Sequence, residues 1–316
     1  MKSCLNKLFR TSLCMTLLFG GTLSIASPFS NAAPSLQSGQ AIEKLEAPAE
    51  LNQFIQDILG ALSEQSPFQS WKKADFTAEP LGPGTHAWLI TLRSTSSPSG
   101  GYLIIGAKPD GGYALIEYGL GDESPFAAKS LEHALTLFRG LGEDSDLRIE
   151  KLYAGPALAE WRICAKSSPE QGRYFDAVSG ELLPGTDTAW KKQPALMTAS
   201  DSRLIHSGSM VTVPMKSVVT APAYDTYENI AWMNQKALQV NTSSFIKHLK
   251  HKKKLIYASR GSDRSYSTSL SINGFQHWDG PTTDSLYVIS THSDSVRWIS
   301  LISLESMGEF YNAEGP

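Results

Sequence analysis

Cysteine is nearly absent from this chain of 316 residues, occurring only at Cys4, Cys14 and Cys164. Two of the three fall in an N-terminal leader. The single thiol that remains cannot close an internal disulfide, so stability must come from burial of a core. Beyond the first 33 residues no run approaches the roughly 20 apolar residues that a spanning helix needs, and no transmembrane anchor is expected after leader removal. Positive charge is also scarce: 28 Lys and Arg against 31 Asp and Glu give a net charge of −3. That balance excludes the basic footprint of a nucleic-acid binder. No Gly-x-Ser-x-Gly elbow, His-Glu-x-x-His helix, phosphate-cradling loop or EF-hand loop occurs, so motif-borne hydrolase, metal and nucleotide chemistry is not indicated and no cofactor is expected. There is no internal repeat.

The strongest positive signal lies at the start. Lys2, Lys7 and Arg10 precede an apolar stretch from Leu13 to Ile25, and small residues then lead to a Ser30-Asn31-Ala32 or Asn31-Ala32-Ala33 step. This is the pattern of a secretory leader over residues 1–33, too short and too weakly flanked to span a membrane. Leu13 rather than a small residue precedes Cys14, so the leader does not read as a lipoprotein signal. The expected location is secreted, extracellular or associated with a bacterial cell wall.

Charge divides the remainder. Residues 34–190 hold 12 basic against 21 acidic side chains, a net −9, whereas residues 191–316 hold 13 against 10, a net +3. Two modules of different composition account for this, and a basic second half leaning on an anionic surface is the sharper version. In the first half, Leu51, Phe54, Ile55, Ile58, Leu59 and Leu62 recur at helical spacing. Strand signals follow at Ala87–Arg93, Tyr102–Ala107 and Tyr113–Tyr118. The last two flank Lys108-Pro109-Asp110-Gly111-Gly112, a hairpin turn. A second helix carries Ala127, Leu131, Ala134, Leu135 and Phe138 on one face, and strands return at Leu147–Tyr153, Leu158–Ala165 and Arg173–Phe175. Residues 186–208 read as a linker. The second half offers short strands around Pro214, a helix from Thr242 to Lys250, and alternation at Leu255–Ser259, Tyr266–Asn273, Leu286–Thr291 and Val296–Leu301. The expected fold class is α+β, with helices packed on an antiparallel sheet over 34–185, followed by a smaller β-rich domain over 209–316.

Two segments carry a resemblance. Gly101–Ala107, its turn and Tyr113–Phe126 resemble the strand–turn–strand core of secreted bacterial pro-domains, such as those of streptopain-type cysteine peptidases. Arg173–Leu183 is similar to the closing strand of PepSY-type domains. The resemblance covers residues 85–185. It implies a module that binds or restrains a partner, often a peptidase, rather than one that catalyses. No recognisable peptidase follows in the chain.

The candidate chemical groups each have a plainer explanation. Cys164 sits in an alternating strand, Trp161-Arg162-Ile163-Cys164-Ala165, where a core cysteine is expected. His248 and His251 are three apart on a helix, but Lys247, Lys250, Lys252, Lys253 and Lys254 share the segment and oppose a dication. That lysine run is instead a candidate contact for an anionic wall polymer or a membrane surface, against a solvated face. Ser70/Lys73 and Ser244/Lys247 are Ser-x-x-Lys pairs without the companion motifs of penicillin-recognising enzymes, and Ser244 reads as a helix cap. Trp278, Trp298, Tyr287, Phe310 and Tyr311, with His277, form a candidate aromatic platform, with His277 and Trp278 in the segment expected to be most exposed. The function expected is a binding or regulatory protein without catalysis of its own, acting on a secreted peptidase or an envelope component. Its rivals are a structural envelope protein and either a secreted hydrolase or a peptidase relative that has lost its catalytic residues; an active enzyme would need titratable groups converging near Cys164 or His277.

Overall fold

The computed structural model describes residues 47–82, 86–93, 100–121, 124–142, 146–193, 197–208, 213–260, 264–280, 284–292 and 295–314. The expected leader, and the part of the Pro214 strand at 210–212, lie outside the described residues.

Helix α1 (Ala49–Ser63) leads through a 3₁₀ turn (Gln69–Lys73) into strands β1 (Asp75–Leu81), β2 (Ala87–Arg93), β3 (Gly101–Ala107) and β4 (Tyr113–Leu120). Helix α2 (Ala128–Gly140) is followed by β5 (Leu147–Gly155), β6 (Leu158–Ala165), β7 (Arg173–Asp176) and β8 (Leu182–Leu183). The expected linker holds α3 (Asp187–Lys191) and β9 (Ile205–His206). Then come the two-residue strands β10 (Val213–Pro214) and β11 (Val218–Val219), helix α4 (Thr242–Lys252), β12 (Leu255–Ser259), β13 (Ser269–Ile272) and β14 (Gly274–Asp279). Finally β15 (Asp284–His292), β16 (Ser295–Ser300), α5 (Leu301–Glu305) and β17 (Gly308–Asn312) complete the chain.

These strands correct the expected fold class. The protein is mostly antiparallel β, its helices are short, and its strands do not sort into a helix-covered sheet followed by a separate β-rich domain. One ten-stranded sheet runs β1-β2-β3-β4-β16-β15-β14-β10, with β9 also on β4 and β11 also on β14. Its two halves come from opposite ends of the sequence and meet where Glu117, Tyr118, Gly119 and Leu120 of β4 oppose Ile299, Trp298, Arg297 and Val296 of β16. Two smaller sheets, β5-β6-β7-β8 and β13-β12-β17, complete the β structure. Local patterning located individual strands well, but composition alone could not reveal that strands from both halves would pair.

Strand alternation explains how the large sheet is buried on both faces. Leu103, Ile105, Leu115, Tyr287, Ile289 and Trp298 share a core with the apolar stripe of α1. Their neighbours Tyr102, Ile104, Ala114 and Ile116 face the opposite way and pack with α2 and with Tyr153, Trp161, Ile163 and Phe175 of the second sheet. Leu286, Val288 and Ile299 face a third core with Phe245 and Leu249 of α4 and with Leu255, Tyr257 and Phe310 of the third sheet. A strand buried on both faces reads as a near-continuous apolar run, which is how Leu-Ile-Ile in β3 and Ala-Leu-Ile in β4 appear.

The β4–β16 seam requires a residue without a side chain. A Cβ at Gly119 would collide with the Tyr102 ring and lie 2.9 Å from the carbonyl oxygen of Val296. We therefore expect Gly119→Val to cost about 3 kcal/mol by overpacking. Gly60 lies in the interior of α1, and a Cβ added there would meet nothing within 4 Å. Its change to Ala should instead gain about 0.5–1 kcal/mol. Urea unfolding of both variants checks the pair, and equal midpoints would contradict this account of the seam.

Candidate functional site

An active site needs ionisable groups that converge on a pocket. Among the described residues three clusters of such groups stand out: one is fully buried at the seam, the second reaches the surface through Asp187, and the third borders a small hollow. At the seam, the Arg297 guanidinium donates from Nη2 to Glu117 Oε2 at 2.8 Å and to the carbonyl of Pro156 at 2.8 Å. Tyr102 Oη donates to Glu117 Oε1 at 3.1 Å and accepts from Arg297 Nε at 3.2 Å. Burial pushes the Glu117 carboxyl above its ordinary range, against the opposing pull of Arg297. In the second sheet, Arg162 binds Asp187 through Nε and Nη2 at 2.8 and 2.7 Å, and Glu150 through Nη1 at 2.8 Å. Hydrogen bonds from Arg162 hold Asp187 below the usual carboxylate range. In the third cluster, Glu160 accepts from Tyr266 Oη at 2.5 Å and from Arg264 at 3.3 Å, and burial raises its carboxyl.

Cys164 belongs to the second cluster. It is fully buried, with its sulfur 3.5 Å from Arg162 Nη1 and 4.0 Å from the carbonyl of Arg148. Its strand places it in the core, as its alternating sequence context indicates. Among the described residues no group of three His, Cys, Asp or Glu is placed to hold a metal ion. A hollow of about 170 Å³ lies between Tyr224, Asp225, Asn229, Lys254 and Glu314, smaller than the ~300 Å³ at which ligand pockets begin. A second, of about 10 Å³ beside Glu160, Trp190, Arg264 and Tyr266, has room for one water.

The aromatic platform dissolves into the core. Trp278 is fully buried, and its Nε1 donates to Tyr118 Oη at 3.1 Å. Trp298 stacks on Tyr118 with centroids 5.5 Å apart and planes within 4°. Tyr287 and Phe310 are buried as well, and Tyr311 packs against Trp232. The segment expected to be exposed is β14, of which only Asp279 is exposed and His277 is partly buried, its Nδ1 3.4 Å from Met215 Sδ. Trp278 therefore contributes stability, and only His277 of that pair reaches the surface.

The lysine run behaves differently. Helix α4 starts in a reciprocal cap: Asn241 accepts from the Ser244 backbone N–H, and Ser244 Oγ accepts from the Asn241 N–H. This engages Ser244 as a cap partner, inside the helix rather than at the cap position itself. Phe245 and Leu249 pack inward, which turns Lys247 and Lys250 outward. His248 is partly buried and His251 exposed on the same helix. Lys253 ends the helix at φ +66°, and Lys252 and Lys254 are partly exposed. Lys250 Nζ lies 5.8 Å from the Phe275 ring and Lys254 Nζ lies 5.0 Å from the Tyr224 ring. Among the described residues none of Lys216, Lys247, Lys250, Lys252, Lys253 and Lys254 forms an ion pair with an acidic side chain.

Beside these lysines runs the stretch that the sequence marked only as short strands around Pro214. Pro214 accepts through its carbonyl from Gln65 Nε2 at 2.5 Å, and the carbonyl of Met215 accepts from Gln276 Nε2 at 2.7 Å. Ser217 Oγ accepts from Trp298 Nε1 at 3.1 Å. Thr220 donates through N–H to the carbonyl of Asn273 at 2.8 Å and through Oγ1 to that of Lys253 at 2.6 Å. Held at these points, the segment turns Met215, Val218 and Val219 to solvent, Met215 at 52% exposure and Val219 at 63%. Among the described residues, seven of the ten exposed large hydrophobics fall between Val213 and Met233. Scattered apolar residues on a surface need no explanation, whereas exposed apolar residues concentrated in one segment make that segment the candidate for an interaction surface.

The buried seam cluster has a measurable signature. Arg297→Met should cost about 3–5 kcal/mol, because it leaves Glu117 buried without its cation. In that variant the folded state holds a proton on Glu117 more tightly than the unfolded chain does. Stability should therefore fall as pH rises from about 4.3 toward neutrality and recover on acidification. Adding Glu117→Gln should remove this pH dependence, and chemical denaturation across pH checks both results. Comparison with known proteins finds no family model, no curated protein and no solved structure that matches this chain.

Proposed function

We propose that the protein is an exported bacterial binding protein without catalysis of its own, whose partner is a component of the cell envelope. The observation that carries this reading is the exposed apolar stretch of Met215, Val218 and Val219 beside lysines that, among the described residues, have no acidic partner. The ion clusters support it from the other side. Their charges hold strands together, and the one hollow that a cluster borders among the described residues, beside Glu160 and Arg264, measures only about 10 Å³.

The pro-domain resemblance of residues 85–185 supports a related reading, in which the partner is a secreted peptidase that the protein restrains. Both readings share a non-catalytic binder and differ in the partner. The rival hydrolase reading would have to work through Cys164 or His277. Cys164 is buried against Arg162, and His277 sits against the thioether of Met215.

The test uses the whole mature chain, since both halves contribute strands to the large sheet. Immobilised protein exposed to envelope extract and culture fluid is expected to retain envelope material, with the same yield from the Cys164→Ala variant. Thiol-dependent hydrolysis lost in Cys164→Ala would overturn the reading. Retention of a secreted peptidase with slowed turnover, and no envelope material, would move the partner to the peptidase.

A further inference from the structure

Strand β5 is an edge: it pairs with β6 on one side, and the second sheet ends with it on the other. One hydrogen bond fixes which way its backbone groups point. The N–H of Lys166 donates to the carbonyl of Asp146 at 2.8 Å, and in an antiparallel ladder such bonds recur at every second residue. Arg148 and Glu150 therefore turn their backbone groups toward Cys164 and Arg162 of β6, while Leu147, Ile149 and Lys151 turn theirs outward. Beyond Lys151 the edge is taken, because Gly82 bridges to Leu152. Five residues stay open, Leu147 to Lys151, with Ile149 at their centre. The Ile149 side chain is itself 40% exposed.

Other edges among the described residues are blunted. Strand β1 carries Pro80, which offers no N–H. Strands β8, β10 and β11 are two residues long. Strand β13 is tied to β15 where Ser271 Oγ donates to the carbonyl of Thr291 at 3.0 Å, and β17 bridges to Leu238.

The charges on β5 select what fits its edge. Alternation places Arg148 and Glu150 on one face, and Leu147, Ile149 and Lys151 on the other. A second copy of the strand, antiparallel to the first, can keep the outward backbone groups opposed with a two-fold axis at residue 148, 149 or 150. The first choice sets Arg148 against its own copy and the third sets Glu150 against its own copy, and like charges directly opposite are destabilising. The middle choice sets Arg148 of each copy opposite Glu150 of the other, and Ile149 opposite Ile149. Within each strand Arg148 Nη2 already donates to Glu150 Oε1 at 2.8 Å. The four charges would then alternate in sign both along and across the strands.

We propose that the protein self-associates as a two-fold dimer through β5, with Ile149 on the axis. The N–H and C=O of Ile149 in each copy bond those of the other, and the Lys151 N–H donates to the opposite Leu147 carbonyl. Such a contact is isologous and closes after two copies. It is also small, so the dimer forms reversibly with concentration. The inference is independent of the binding reading and draws on different residues.

Sedimentation velocity of the mature chain over a concentration series tests it. The wild type is expected to shift from monomer to dimer as concentration rises. Ile149→Pro removes an N–H that makes no bond to β6, and should leave a monomer throughout. Arg148→Glu opposes two carboxylates and should weaken association about tenfold. The Arg148 side chain is 55% exposed, so this variant decides the matter if Ile149→Pro alters thermal unfolding. Ile149→Cys should be joined to its copy by a short bismaleimide, whereas Leu147→Cys, about 14 Å from its own copy in this register, should not. A wild type that stays monomeric would overturn the proposal. So would a dimer untouched by both Ile149→Pro and Arg148→Glu, or crosslinking at Leu147→Cys in place of Ile149→Cys.

Discussion

The Arg297–Glu117 pair joins two stretches of chain that are 180 residues apart. Each ion alone would be expensive to bury. Together, with Tyr102 bridging them and the Pro156 carbonyl accepting a further guanidinium hydrogen bond, they are accommodated at the point where β4 meets β16. Pro156 lies in the turn between β5 and β6, so one arginine side chain links both halves of the large sheet to the second sheet. Gly119 leaves the room in which Tyr102 crosses the seam. The ring stacking of Tyr118 on Trp298 closes the opposite face of the same junction. The remaining architecture depends on this seam, because without it the ten-stranded sheet would become two open sheets with unpaired central edges.

The candidate surface is positioned from the same place. Tyr118 and Trp298, paired across the seam, pass hydrogen bonds outward. Tyr118 bonds Gln276 and Gln276 bonds the carbonyl of Met215, while Trp298 bonds Ser217 directly. The exposed segment is thus pinned by the aromatic core beneath it. This explains how apolar side chains can be held in solvent instead of collapsing inward: the chain is fixed at Pro214, Met215, Ser217 and Thr220. A preformed surface of this kind loses little conformational entropy on binding, which favours docking without a fold change.

Much of the local structure was legible in the sequence. The helical stripe of Leu51 to Leu62 forms α1, the Pro109–Gly112 turn joins β3 to β4, and Leu158–Ala165 is a strand with those bounds. The pairing of β4 with β16 was not legible, because strand alternation specifies faces and says nothing of which strands become neighbours across a long stretch of chain. The same limit hid the candidate surface. Val-Val at 218–219 reads as a short strand, and its exposure depends on whether another element covers it. Trp278 shows the opposite error. A turn at Asp279-Gly280 suggested exposure, but β14 lies between β15 and the short strands β10 and β11, and its alternation sends the indole into the α1 core. The lysines were visible as a run, whereas the lack of ion pairs to them among the described residues became visible only in three dimensions.

Native-state hydrogen exchange is the most direct measurement of the central claim, which is that strands from both halves of the sequence form one cooperative sheet through the β4–β16 seam. Amides of Leu103 and Ile104 in β3 and of Val288 and Ile289 in β15 are buried in the sheet on either side of that seam. The account predicts that all four exchange through a common global opening, with the same free energy and the same denaturant dependence. Two distinct levels, one for β3 and another for β15, would show two independently stable units and contradict it.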